Sequence, residues 1–155
     1  MTKKYKNDGF TVVEVLMVLG ILAVLGSIII STLYNFRLNQ ALAKDTETLV
    51  ESLNQARNQT ISSKDLSVYG VHFAPTSVTV FTGSTYDPSA VTNQVFNLNP
   101  QDTVLSVNLA TGGYDVIFER LSGETVNNGT VTVSSSGLPN IKTVTIYRTG
   151  IVESE

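Results

Sequence analysis

An uncharged apolar run near the N-terminus constrains this chain more than any other feature. From Val15 to Phe36 the sequence reads VLMVLGILAVLGSIIISTLYNF, 22 residues without an Asp, Glu, Lys or Arg. A helix needs about 20 such residues to cross the roughly 30 Å hydrocarbon core of a bilayer. Three lysines precede the run, so the positive-inside rule predicts a cytoplasmic N-terminus and an exported C-terminal part.

Two ordinary membrane-targeting signals compete for this run. A secretory signal peptide usually has an apolar region of about 7–15 residues and ends at an Ala-x-Ala-like site. The run here is longer, and no such site follows it. A plain signal anchor explains the run and the lysines, but it gives no reason for the acid at Glu14.

Glu14 interrupts an otherwise apolar sequence, between Val13 and Val15. A carboxylate within or at the edge of hydrocarbon costs on the order of a few kcal/mol unless it is neutralised or paired. One interpretation is therefore a functional acid. The other is a carboxylate at the start of a helix, lying at headgroup level and stabilised by the helix dipole.

The segment KKYKNDGFTVVEVLMVLGILAVL resembles the class III signal of type IV pilins and of the pseudopilins of type II secretion systems. In that family a short basic leader ends in Gly, Phe follows, and Glu stands four residues later at the start of a long apolar helix. Gly9, Phe10 and Glu14 match these three positions.

The resemblance implies that the chain is a substrate and not an enzyme. Residues 1–9 would be a leader, and a prepilin peptidase would cut the Gly9–Phe10 bond and methylate the new amine of Phe10. Residues 10–36 would form the transmembrane and assembly helix, in which Glu14 pairs with the Phe10 amine of a neighbouring subunit. The implied partners are the peptidase, other pilins or pseudopilins, an inner-membrane assembly platform and membrane lipid, with no cofactor.

Three small residues, Gly20, Ala23 and Ser27, fall at helical spacing on one side of the apolar run. Small residues let two membrane helices approach closely, which predicts a helix-packing face. The alternative is that small residues are simply tolerated there.

Composition and charge exclude several function classes. The chain has no cysteine and one histidine, so a disulfide, a thiolate zinc site and a histidine-based metal site or catalytic triad are not expected. We interpret His72 as an outward-facing or hydrogen-bonded strand residue, and Asp115 and Glu119 as solvated strand positions. After residue 9 the chain carries 7 basic and 12 acidic side chains, which does not favour nucleic-acid binding.

The sequence after the apolar run predicts an α+β fold. Residues 37–63 continue the helix in amphipathic form, giving one helix from about Phe10 to Ser62. Residues 64–155 predict an antiparallel β head against which this half of the helix packs. The helical stripe comprises Leu38, Leu42, Leu49, Leu53 and Ala56, with Lys44, Asp45, Glu47, Glu51 and Arg57 mostly elsewhere. Seven or eight strands are expected, in LSVYGVHFA, SVTVFTG, TNQVFNL, TVLSVNL, YDVIFERL, GTVTVSS, TVTIYR and GIVES.

Within the family, the segments YGVHF, VIFERLSG, GTVTVSS and TVTIYRTGIV resemble the minor pseudopilin H and FimT-like minor pilins. The resemblance implies the pilin fold and a structural subunit that initiates or tips a type II secretion pseudopilus or type IV pilus. It would be a single-pass protein of the bacterial inner membrane with its head outside. The alternatives are a membrane-anchored ligand-binding module of the cell envelope, or a DNA-uptake minor pilin.

Overall fold

The computed structural model describes residues 9–155, apart from the side chains of Ile28, Ile29 and Ser31. The predicted leader therefore lies outside the described residues except for Gly9. Helix α1 covers Val12–Ile61, which confirms the long helix predicted from about Phe10 to Ser62. A short 3-10 turn follows at Lys64–Leu66. The described chain divides into two compact units, one ending at Phe36 and the other spanning Arg37–Glu155.

In the first unit, the large apolar side chains of α1 that the structure describes are exposed. An 18-residue window of the helix has a mean hydropathy of 2.7 and none of it is buried. Length and composition therefore permit α1 to cross a membrane. A signal sequence near the N-terminus can have the same length and the same apolar composition.

The second unit contains two four-stranded antiparallel sheets. The first has the strand order β3-β2-β1-β5 and the second the order β4-β6-β7-β8. The strands are β1 (Tyr69–Ala74), β2 (Ser77–Thr82), β3 (Gln94–Asn97), β4 (Asp102–Leu109), β5 (Asp115–Ile117), β6 (Gly129–Ser135), β7 (Ile141–Ile146) and β8 (Val152–Ser154). Each of the eight segments predicted as a strand overlaps one of them, although β4 and β7 begin one and two residues before their predicted segments.

Residues 37–61 of α1 contribute a buried stripe to the core of this unit. The five predicted residues of the stripe are each at most 5% exposed: Leu38, Leu42, Leu49, Leu53 and Ala56. Leu49 and Leu53 share one core cluster with Val71 of the first sheet and Val131 of the second. Burial of one such leucine side chain contributes about 1.5–3 kcal/mol. The helix therefore packs on antiparallel sheets, and the α+β class is confirmed.

The structure differs from the predicted stripe at Asp45, which the sequence pattern grouped with charges lying mostly outside it. This residue is only 8% exposed. It stands three positions after Leu42 and four before Leu49, so helical periodicity places it on the buried face. Its Oδ2 accepts the Asn99 backbone N–H at 2.6 Å, which gives the buried carboxylate a donor.

A turn through Arg148, Thr149 and Gly150 joins β7 to β8. Gly150 N–H donates to Tyr147 O at 2.8 Å, and Tyr147 N–H donates to Ile151 O at 2.9 Å. Gly150 has φ +76°, and a Cβ there would overlap Gly123 O. Arg57 Nε donates to the same oxygen at 3.2 Å, and Arg57 Nη2 donates to Thr149 O at 3.4 Å, so this residue of α1 holds two loops of the unit.

Candidate functional site

The segment around Gly9 and Phe10 lies immediately before α1. Neither residue is helical, and the Phe10 side chain is 85% exposed. Apart from its chain neighbours, no described residue has an atom within 4 Å of the position that a Cβ would occupy on Gly9. Among the described residues of the first unit, nothing therefore covers the Gly9–Phe10 peptide bond.

Thr11 caps the start of α1. Its Oγ1 accepts the Glu14 backbone N–H at 3.2 Å, and its carbonyl accepts the Val15 N–H at 3.2 Å. A Thr followed three residues later by Glu is the spacing of a helix capping box. The sequence interpretation missed Thr11, although the Thr-x-x-Glu spacing was visible.

Glu14 lies in the first turn of α1, where the helix dipole favours a carboxylate. This position supports the helix-start interpretation of the residue. Its side chain is exposed, and it forms no ion pair with any residue of the range 9–155. The predicted pairing with an amine stays a prediction.

Phe10 and Glu14 line one open groove of about 290 Å³. The other lining residues are Val15, Val18 and Leu19, which follow Glu14 on one helical face. The groove is apolar except for the carboxylate. A cationic group placed there would lie next to one carboxylate and otherwise among apolar side chains.

The predicted packing residues lie further along α1. Gly20 lines a second apolar groove of about 360 Å³ with Met17, Ile21, Val24 and Leu25. Ala23 is exposed on the same helix. Ser27 Oγ donates to Val24 O at 2.7 Å, so its hydroxyl is satisfied within the helix. The packing role itself stays a prediction.

A polar cluster lies in the β head, around His72 on β1. His72 Nδ1 and Asp115 Oδ1 are 2.5 Å apart, and the two residues are cross-strand partners of β1 and β5. The imidazole stacks on the Tyr86 ring with a centroid distance of 3.9 Å. His72 is thus a hydrogen-bonded strand residue, one of the two forms expected. Its partner Asp115 was missed, because strand pairing across 43 residues is not visible in the sequence.

Neither the groove at Glu14 nor the cluster around His72 offers a metal site among the described residues. Within residues 9–155, no three or more His, Asp or Glu side chains are grouped so that they could hold a metal ion.

Comparisons of the chain with models of known protein families, with curated proteins and with solved structures gave no match. A functional assignment must therefore come from the residues and their geometry.

Proposed function

We propose that the chain is the precursor of a minor pilin-like subunit of a type II secretion pseudopilus or a type IV pilus. One observation carries the proposal: an accessible Gly9–Phe10 peptide stands directly before an exposed apolar helix that has Glu14 in its first turn. A plain membrane anchor requires neither the glycine nor the acid.

The first proposed step is proteolytic processing. The Gly9–Phe10 bond is non-helical, and Gly9 has no side chain to obstruct the approach of a peptidase to the backbone. Hydrolysis consumes one water and leaves a carboxylate on Gly9 and an amine on Phe10. The prepilin peptidase would then transfer a methyl group to that amine from a sulfonium methyl donor, which leaves as a thioether, while the amine loses one proton and remains basic.

The second proposed step is assembly. The new Phe10 ammonium would lie four residues before Glu14, in the apolar groove that both residues line. In such surroundings an unpaired carboxylate is costly, whereas an ion pair is strongly attractive. Pairing of Glu14 with the Phe10 amine of a neighbouring subunit would fix the longitudinal register of the two helices.

The second unit is compatible with this role. A helical stripe packed on antiparallel sheets is the arrangement that the resemblance implies, and we propose that it is the pilin fold. The positive-inside rule would place this head on the outer side of the cytoplasmic membrane.

A membrane-anchored ligand-binding module is the second candidate. A polar hollow of about 190 Å³ in the head is lined by Gln59, Lys64, Asp65, Tyr69, Val80, Thr82, Thr92 and Gln94. Gln59 Oε1 is buried without a hydrogen-bond partner among the described residues, so a ligand hydroxyl could donate to it. A DNA-uptake role is less favoured, because residues 10–155 carry more acidic than basic side chains.

Copurification with sister pilins tests the proposed assembly. Wild-type protein should copurify with them after extraction from membranes, and Glu14→Ala should insert normally but fail to copurify. Glu14→Gln separates the two interpretations of this residue, because a capping box accepts Gln as well as Glu. We expect Glu14→Gln to fail as well, since pairing requires the charge.

Equal recovery of Glu14→Gln and wild type would show that Glu14 only starts the helix. Absence of the wild-type protein from the complexes would favour the ligand-binding module.

A further inference from the structure

Two acidic side chains converge inside the head unit. Asp45 comes from α1 and is 8% exposed, and Asp102 is the first residue of β4 and is fully buried. Asn99 links the two: its backbone N–H donates to Asp45 Oδ2 at 2.6 Å, and its carbonyl accepts the Asp102 N–H at 2.8 Å. We call them the acid pair.

The hydrogen bonds around the acid pair are incomplete. Asp45 Oδ2 accepts the Asn99 N–H, but neither carboxyl oxygen of Asp102 has a hydrogen-bond partner of standard geometry within residues 9–155. Ser135 is the cross-strand partner of Asp102. Its hydroxyl is also buried, and it has no hydrogen-bond partner of standard geometry within residues 9–155. A buried ionised carboxylate without donors is strongly destabilising.

No basic group neutralises the acid pair in the described part of the chain. Neither carboxylate forms an ion pair with a Lys, Arg or His there. The sequence of β6 and the loop of residues 98–101 contain no ionisable side chain. On α1, the charged neighbours Lys44 and Glu47 are exposed, and Lys142 on the adjacent β7 is exposed as well. Two ionised carboxylates in contact cannot both persist at such a site without a counter-charge.

We propose that Asp45 and Asp102 share one proton at neutral pH, with the neutral Asp102 carboxyl donating a hydrogen bond to the Asp45 carboxylate. This arrangement supplies the missing donor and removes one of the two buried charges. Asp45 then accepts from both Asp102 and Asn99, which ties α1 to the start of β4. The proposal does not depend on the proposed function.

The electrostatic surroundings agree with a neutral Asp102. Burial is the main cause that raises the pKa of Asp102, and the proximity of the Asp45 carboxyl raises it further, while the Ser135 side chain lowers it. A folded-state pKa above the ordinary value of 3.8 makes a stabilising contribution that is complete below that value. The contribution is lost as pH rises through the folded pKa, so Asp102 favours the folded head in acid.

Infrared spectroscopy of the full-length wild-type protein in detergent tests the protonation directly. At about pH 7 ordinary carboxyl groups are ionised. We therefore expect the carbonyl stretch of a neutral carboxylic acid in the wild type and its loss in Asp102→Asn. A wild-type spectrum without this band would overturn the proposal, whether or not the variant folds.

Urea denaturation at a series of pH values tests the consequence. As pH rises from neutral into the alkaline range, the wild-type midpoint should fall, because the shared proton is lost. Asp102→Asn keeps a donor toward Asp45 without a titratable proton, so its midpoint should change less over that range. Glu51→Gln, which removes an exposed acid from the same helix, should follow the wild type.

A cation is the competing neutralising group. Calcium at millimolar concentration should leave the wild-type midpoint at neutral pH unchanged. A rise that is absent in Asp102→Asn would show that the pair holds a cation instead of a proton. Parallel pH profiles of the wild type and Asp102→Asn would also contradict the shared proton.

Discussion

Replacement of Leu53 by alanine tests how α1 is held on the sheets. Leu53 is fully buried in the core cluster that contains residues of both sheets. The substitution removes the Cγ and both methyl groups, and such changes cost about 2–5 kcal/mol because a cavity remains. A folded unit the size of Arg37–Glu155 has an unfolding free energy of roughly 6–18 kcal/mol. The loss should therefore be a large fraction of the total.

Chemical denaturation of the protein in detergent measures this loss. The chain has no tryptophan, and detergent would keep the apolar part of α1 helical, so the near-ultraviolet circular dichroism of the tyrosines is the suitable signal. Leu121→Ala is the matched control, because that side chain is 76% exposed and its truncation should cost less than about 0.5 kcal/mol. A Leu53→Ala effect no larger than the control would refute the packing of α1 on the sheets.

Three further substitutions test local features. Thr11→Ala should destabilise the first turn of α1 by about 0.5–2 kcal/mol, seen as faster hydrogen exchange of the Glu14 amide, whereas Thr11→Ser should exchange as the wild type does. Gly150→Ala should lower the denaturation midpoint, because its φ is left-handed and the new Cβ would overlap Gly123 O; an unchanged midpoint would contradict the turn geometry. The pKa of Tyr69 is raised above 10.0, first by burial and then by the hydrogen bond that Tyr69 donates to Asp65 and by the charge of Asp65. The neutral Tyr69 hydroxyl therefore contributes to stability, and this contribution is lost as pH rises through the folded pKa. Tyr69→Phe should remove that part of the alkaline destabilisation, and an unchanged alkaline profile would count against it.

The secondary structure was predictable because its signals are local. The 3.6-residue period predicted the buried stripe that includes Leu49 and Leu53, and the eight strand segments were located in the sequence as well. Strand order was not predictable. β5 pairs with β1 across the intervening β2, β3 and β4, and the head divides into two sheets, both of which depend on contacts distant in sequence.

The same distinction applies to the polar residues. Gly9, Phe10 and Glu14 were selected by a local motif, and Thr11 was readable from its spacing to Glu14. The contact of His72 with Asp115, and the link from Asp45 through Asn99 to Asp102, could not be predicted because strand register and helix docking bring these residues together.

The N-terminus of the protein produced with and without an active prepilin peptidase tests the proposed function most directly. Mass spectrometry should show the loss of residues 1–9 and one added methyl group on Phe10 only when the peptidase is present. Gly9→Val is a suitable control, since its branched side chain should obstruct the approach to the Gly9–Phe10 bond. A wild-type chain that keeps its leader, in cells where the same peptidase cuts a sister pilin, would contradict the pilin-like assignment.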